Sequence, residues 1–165
     1  MLIMGADPGI ALGGYGLIEK ENNMIRVVDY GVIKTGAKEK TAIRLKKIFY
    51  GYKNLIEKHK PDAVAVEELF FNKNAKTVIS VGQARGAAIL AAGLSDVEVY
   101  EYTPLQVKQS VVGYGRATNS QVQKMIQIIL ELEKIPKPDD AADALAVALC
   151  HINSSKLMQI LNERL

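Results

Sequence analysis

Four carboxylates occupy positions from which a fold could gather them around a metal. Asp7 ends the apolar run Leu2-Ile3-Met4-Gly5-Ala6 and is followed by the turn pair Pro8-Gly9. Glu67 ends a second apolar run, Ala63-Val64-Ala65-Val66. Asp140 and Asp143 stand three apart at the start of a segment that reads as a helix, which puts both on one helix face. Oxygen ligands of this kind suit hard divalent cations, Mg²⁺ or Mn²⁺. Two such ions roughly 3.5–4 Å apart can activate water and stabilise the leaving oxygen of a phosphodiester. Each acid alone is equally an ordinary turn or helix-cap residue. Glu67, directly after a fully apolar strand, is the hardest to explain as a solubility device. Glu68 adjoins it, and strand parity alone leaves both open.

The elements that must position these acids follow from pattern. Residues 2–7 read as a strand, with Gly13–Lys20 and Ile25–Lys34 completing an antiparallel meander through short turns. Ala42–His59 reads as a helix with the apolar stripe Ile48, Tyr52, Leu55 and Ile56. Asp62–Glu67 is a short strand of the doubly buried kind. Ala75–Ala92 is a helix rich in small residues, and Val97–Tyr102 another strand. Thr103 caps a helix opening at Pro104. Ser120–Glu133 is a further helix, and Asp139 or Asp140 starts the last. Helical crossovers between the later strands imply parallel pairing. The expectation is an α/β fold: a mixed five-stranded sheet flanked by helices, with residues 2–7 and 62–67 as neighbours. The domain spans 1–153, and 154–165 forms a short amphipathic extension.

The chain has 165 residues, 48% hydrophobic and 24% charged, enough to bury one core. Its lone cysteine, Cys150, argues against disulfides and a structural zinc site. No signal peptide or membrane span is supported, which predicts a cytoplasmic protein. The net charge is +3. Lysines cluster in 38–60, and Lys73, Lys76, Arg85, Lys108 and Arg116 could track phosphates or simply face water. His151 lies too far along its helix from Asp140 to serve as a base and reads as structural. His59, ending a lysine-rich helix, is expected to face solvent.

Five motifs carry a family likeness. Gly5-Ala6-Asp7-Pro8-Gly9, Val66-Glu67-Glu68-Leu69-Phe70, Gly82-Gln83-Ala84-Arg85-Gly86, Gln106-Val107-Lys108-Gln109 and Asp140-Ala141-Ala142-Asp143-Ala144-Leu145-Ala146 resemble, in order and spacing, those of the RuvC family of bacterial Holliday-junction resolvases. The likeness runs from residue 2 to about 152. It implies a ribonuclease H-like fold, a homodimer, Mg²⁺-dependent paired nicking of four-way junction DNA, and work with the RuvA–RuvB branch-migration complex. It selects Glu67 over Glu68 and makes Asp7, Glu67, Asp140 and Asp143 the catalytic and metal-binding set. It makes Phe70 a wedge at the junction centre and Lys108 the first choice for phosphate. Gly82 and Gly86, four apart, would serve a two-fold helix contact. Asn119 departs from the family, where a lysine is common, and Arg116 in the same loop is a candidate replacement. Glu68 departs too, where a glutamine is common.

Rival readings are an RNA-directed nuclease of the same fold, a non-catalytic nucleic-acid-binding module in which the acids are caps, and a small-molecule phosphotransferase. The last lacks a Walker-type phosphate loop.

Overall fold

The computed structural model describes residues 1–22, 24–69 and 75–162, with 75–77 and 156–162 described by backbone alone. Three strands open the chain: β1 (Leu2–Pro8), β2 (Leu12–Glu21) and β3 (Met24–Lys34). Then come α1 (Thr41–His59), β4 (Ala63–Glu67), α2 (Ala75–Gly93) and β5 (Glu98–Tyr102). The chain finishes with α3 (Pro104–Val112), α4 (Asn119–Ile129) and α5 (Asp139–Asn162). The sheet order is β3-β2-β1-β4-β5. β1–β2 and β2–β3 are antiparallel, β1–β4 and β4–β5 parallel, as the crossover lengths predict.

Two apolar layers sandwich the sheet. On one face Ile3, Ile18, Ala63 and Ala65 pack with α3, α4 and α5. On the other Met4, Leu17, Val64 and Val66 pack with Ile48, Tyr52 and Ile56 of α1 and with Ala84, Ala88, Ala91 and Ala92 of α2. Alternation along a strand then fixes direction. Asp7 shares the α5 face with Ile3 and Gly5, and Glu67 shares it with Ala63 and Ala65. Glu68 belongs to the opposite parity and is exposed.

Three sequence expectations are corrected. α4 stops at Ile129 rather than Glu133, because Glu131 takes a left-handed conformation (φ 50°). The Leu132 amide then donates to the Gln127 carbonyl at 2.9 Å and the Glu131 amide to that of Ile128 at 3.3 Å. That is a Schellman end, built without the usual glycine. His59 does not face solvent: its side chain is 13% exposed and its Nε2 lies 3.4 Å from Asp29 Oδ2. Residues 154–162 are not a separate element but continue α5.

Candidate active site

β1 and β4 run parallel with Ala6 beside Val66, so Asp7 and Glu67 come one step later at adjacent strand ends. α5 must then cross close enough to bring Asp140 and Asp143 to them. Glycine makes this possible. A Cβ on Gly14 would lie 2.0 Å from the Asp140 carbonyl oxygen, and one on Gly5 1.9 Å from that of Ala144. Neither distance is physical, so only hydrogen fits at either place. Gly14 is also the register partner of Asp7. The strand neighbour of one acid is thus the seat of another. Ala141, Ala144 and Ala148 keep the facing side of α5 small and fully buried.

Tyr52 supports the same corner from the opposite face. Its buried hydroxyl donates to the Gly14 carbonyl at 2.8 Å. Burial, with Asp7 and Asp140 nearby, pushes the phenol well above its ordinary range, so it stays a donor.

The electrostatics show which acids face each other. Burial first, then the charges of Asp143, Glu67 and Asp140, together raise Asp7 to about 7. Burial and Asp143 raise Glu67 to about 7, against the pull of Lys108. Burial, Asp139 and Asp140 raise Asp143 to about 6, opposed by a Gln123 hydrogen bond and by Lys108. Four acids from three separate stretches of chain therefore share one half-buried corner, and Asp7, Glu67 and Asp143 are each raised in part by a neighbouring acid's charge. Among the described residues no three of them are drawn in as a finished coordination shell. A divalent cation would relieve like charges gathered in one half-buried corner. An all-oxygen donor set fits Mg²⁺ or Mn²⁺.

Lys108, on α3, is a cation whose charge acts on both Glu67 and Asp143. Glu67, Lys108, Asn119 and Asp143 line a pocket of about 50 Å³ over an apolar floor. Asn119 is thus at the site, where its neutral amide leaves Lys108 as the one cation lining the pocket among the described residues. Arg116 is exposed in the loop between α3 and α4. Arg85 is differently engaged. Its guanidinium pairs with Glu101 and donates through Nε to the Glu67 carbonyl at 3.1 Å, and its side chain is 16% exposed. Phe70 and Lys73 lie outside the described residues, as does the side chain of Lys76. His151 is buried against Tyr102, whose hydroxyl is 2.8 Å from its Nδ1, consistent with a structural role.

The acids were visible in the sequence; their supports were not. Gly5 and Gly14 read as turn or strand residues. The one available signal was the coincidence of strand glycines with the alanines of 141–148.

The family model described as crossover junction endodeoxyribonuclease RuvC matches residues 3–151. The chain belongs to the RuvC family. A RuvC from Alkaliphilus metalliredigens is 57% identical over 160 residues, covering 97% of this chain and 98% of that protein. A RuvC from Halothermothrix orenii is also 57% identical, over 157 residues, covering 95% of each. Among solved structures, T. thermophilus RuvC in complex with Holliday junction substrate superposes with a TM-score of 0.87. It is 35% identical and covers 95% of this chain and 96% of that one. The RuvC match establishes the ribonuclease H-like fold expected from the motifs.

Proposed function

We propose that the protein is a metal-dependent endodeoxyribonuclease that resolves Holliday junctions by paired symmetric nicks, in homologous recombination and DNA repair. The observation that carries this reading is the convergence of Asp7, Glu67, Asp140 and Asp143, from two parallel strand ends and one helix, on one half-buried corner. Membership of the RuvC family supplies the substrate class.

In this reading the four acids hold Mg²⁺, or Mn²⁺ as substitute, with two ions per site. Bound there, the ions supply Lewis acidity toward water and phosphate oxygen. The chain's own part is to fix the ligands and to place cations for DNA. Lys108 reaches the edge of the acid cluster and is assigned to the scissile phosphate. Arg116, exposed on its loop, is assigned to docking or to supplying the charge that Asn119 lacks. Arg85 braces the end of β4 through Glu101 and the Glu67 carbonyl, and we assign it to support rather than to phosphate. Phe70 keeps the wedge role that the resemblance implies, and Lys73 and Lys76 keep the phosphate contacts that their charge suggests.

The dimer needs a surface, and α2 offers one. Ile79, Leu90 and the adjoining Leu94 are 65%, 55% and 61% exposed. With Gly86 they form a stripe on the side of α2 turned away from the sheet, and no Cβ contact lies within 4 Å of Gly86. A two-fold pairing of this stripe would present two sites to a symmetric junction. The RuvA–RuvB complex is the proposed partner in the cytoplasm. No helix among the described residues is long and apolar enough to cross a membrane.

The test is cleavage of a mobile four-way junction with and without Mg²⁺. Paired symmetric nicks are expected only with metal. Asp7→Asn should lower the single-turnover rate on the order of 10³-fold, about 4 kcal/mol of barrier, with junction affinity retained. Cutting of an RNA–DNA hybrid in preference to the junction would move the protein to the RNA-directed class.

A further inference from the structure

The turn that follows Asp7 is gripped from behind by two side chains. Residues 9–11 join β1 to β2 at the acid corner. Asp7 lies one residue before the end of β1, and a Cβ on Gly9 would come within 4.0 Å of Asp140 Oδ1. Inside the turn the Gly9 amide donates to the carbonyls of Asp7 and Leu12, each at 3.1 Å. The Ile10 carbonyl accepts from the Thr35 hydroxyl at 2.5 Å and from Arg44 Nη2 at 3.2 Å. Arg44 Nε donates to the same hydroxyl at 2.9 Å, which closes a ring of three groups. The Thr35 amide takes the next carbonyl, that of Ala11, at 3.0 Å. Thr35 directly follows β3, and Arg44 lies in the first turn of α1.

A carbonyl oxygen has two lone pairs, and here each meets a donor. The hydroxyl gives its one proton to Ile10 and a lone pair to Arg44. The flat fork of an arginine lets one guanidinium meet both acceptors at a fixed spacing. Water would satisfy a carbonyl on an open turn just as well. In this turn the donors come instead from two other elements, through side chains that are half-buried. The ring therefore fixes where the turn sits relative to α1, beyond satisfying one oxygen. α1 packs on the sheet face opposite α5. Asp7 faces α5, while the turn it enters is held on the α1 side, so the position of the acid is set by contacts from both layers.

We propose that Thr35 and Arg44 are positioning residues for the nuclease site, which together clamp the Ile10 carbonyl and so set the turn that follows Asp7. This rests on the reading of Asp7 as part of a nuclease site. Neither side chain touches the reacting atoms in this account; both act through the backbone of residues 7–12.

The experiment is single-turnover cleavage of a four-way junction at saturating DNA and Mg²⁺, with junction affinity measured separately in EDTA. Thr35→Val keeps the shape and removes the hydroxyl. It should lower the cleavage rate by about 10–100-fold, the scale of a misplacement near 1 Å, and leave junction affinity unchanged. Thr35→Ser keeps the hydroxyl and should restore the rate. Arg44→Met should slow cleavage to a similar degree. The double variant should be no slower than the slower single one, because both side chains act through one carbonyl. Wild-type cleavage by folded Thr35→Val, a Thr35→Ser as slow as Thr35→Val, or losses that multiply in the double variant overturns the proposal. So does an Arg44→Met that binds junction weakly but cuts at the full rate once saturated, since Arg44 is then a DNA contact. Asp7→Asn separates the two levels of inference. If it cuts at the full rate, the nuclease-site reading fails and this proposal with it. If it is inactive while Thr35→Val cuts normally, only the role of Thr35 and Arg44 fails. A readout on the wild type holds however the variants fold. The Arg44 Nε proton and the Thr35 hydroxyl proton should exchange slowly in the NMR spectrum, and fast exchange of either overturns the proposal.

Discussion

Two helices in this molecule are built from small residues, and they use them in opposite ways. α5 turns Ala141, Ala144 and Ala148 toward strand glycines, so that helix and sheet backbones nearly touch. α2 turns Ala84, Ala88, Ala91 and Ala92 to the sheet in ordinary contact and leaves Gly86 and Gly93 with nothing within 4 Å. On α5, small size brings charge to charge across a tight seam. On α2, it flattens an outer face lined by Ile79 and Leu90. The same composition marks a finished contact in one place and an open one in the other.

The sharpest way to break the comparison is to add one methyl group to each seam. Gly5→Ala places carbon where the Ala144 carbonyl oxygen stands. It should destabilise the fold by about 3 kcal/mol, the upper end of overpacking costs, and remove cleavage. Gly86→Ala meets open space within a helix and should stabilise the monomer by about 0.5–1 kcal/mol. Urea denaturation at low protein concentration compares the two. Equal effects would show that α5 can shift and that the seam is not tight.

A charge on the open face gives a smaller thermodynamic effect but a clear readout. Leu90→Glu should leave monomer stability within about 0.5 kcal/mol. Light scattering should fall from about twice 18.0 kDa to 18.0 kDa, and paired nicks should become uncoupled single ones. A wild-type protein that is monomeric at micromolar concentration and still cuts in pairs would contradict the role given to α2.

The smallest effect concerns the acids on the closed side. Asp7 and Glu67 are raised to about 7 and Asp143 to about 6. The folded state therefore holds protons that the unfolded chain has released above pH 4–5. The sign follows: without metal this contribution to stability is complete below about pH 4 and is lost as pH rises toward 7. Asp7→Asn should raise the melting temperature in EDTA at pH 8, and the gain should vanish near pH 4. Mg²⁺ should raise the wild type at pH 8 and the variant less. A melting temperature that climbs from pH 4 to 8 in EDTA would show that the acids are not crowded.

The sheet was readable because its strands are apolar runs closed by turn residues, and its topology because connection length separates meander from crossover. The four acids were readable because they end strands or open a helix. Parity alone left Glu67 and Glu68 open, the family resemblance chose Glu67, and the α5 layer supplies the physical reason, since parity has meaning only once one face is assigned. Gly14 was hidden for a related reason: it matters through Asp140, more than a hundred positions away. Arg85 reads from sequence as a candidate phosphate contact, and its pairing with Glu101 of β5 could not be seen until the sheet was placed. The end of α4 was missed because a glutamate took the left-handed position usually held by glycine.

The seam between β1 and α5 also has a consequence for the order in which the protein is made. Asp7 is synthesised well before Asp140 and Asp143, which arrive with α5. A nascent chain that has extruded its strands but not α5 carries half of the acid set and an uncovered groove over Gly5 and Gly14. Such a chain has no assembled nuclease site. A chain that has not yet made α5 therefore lacks two of the four acids proposed to form the nuclease site.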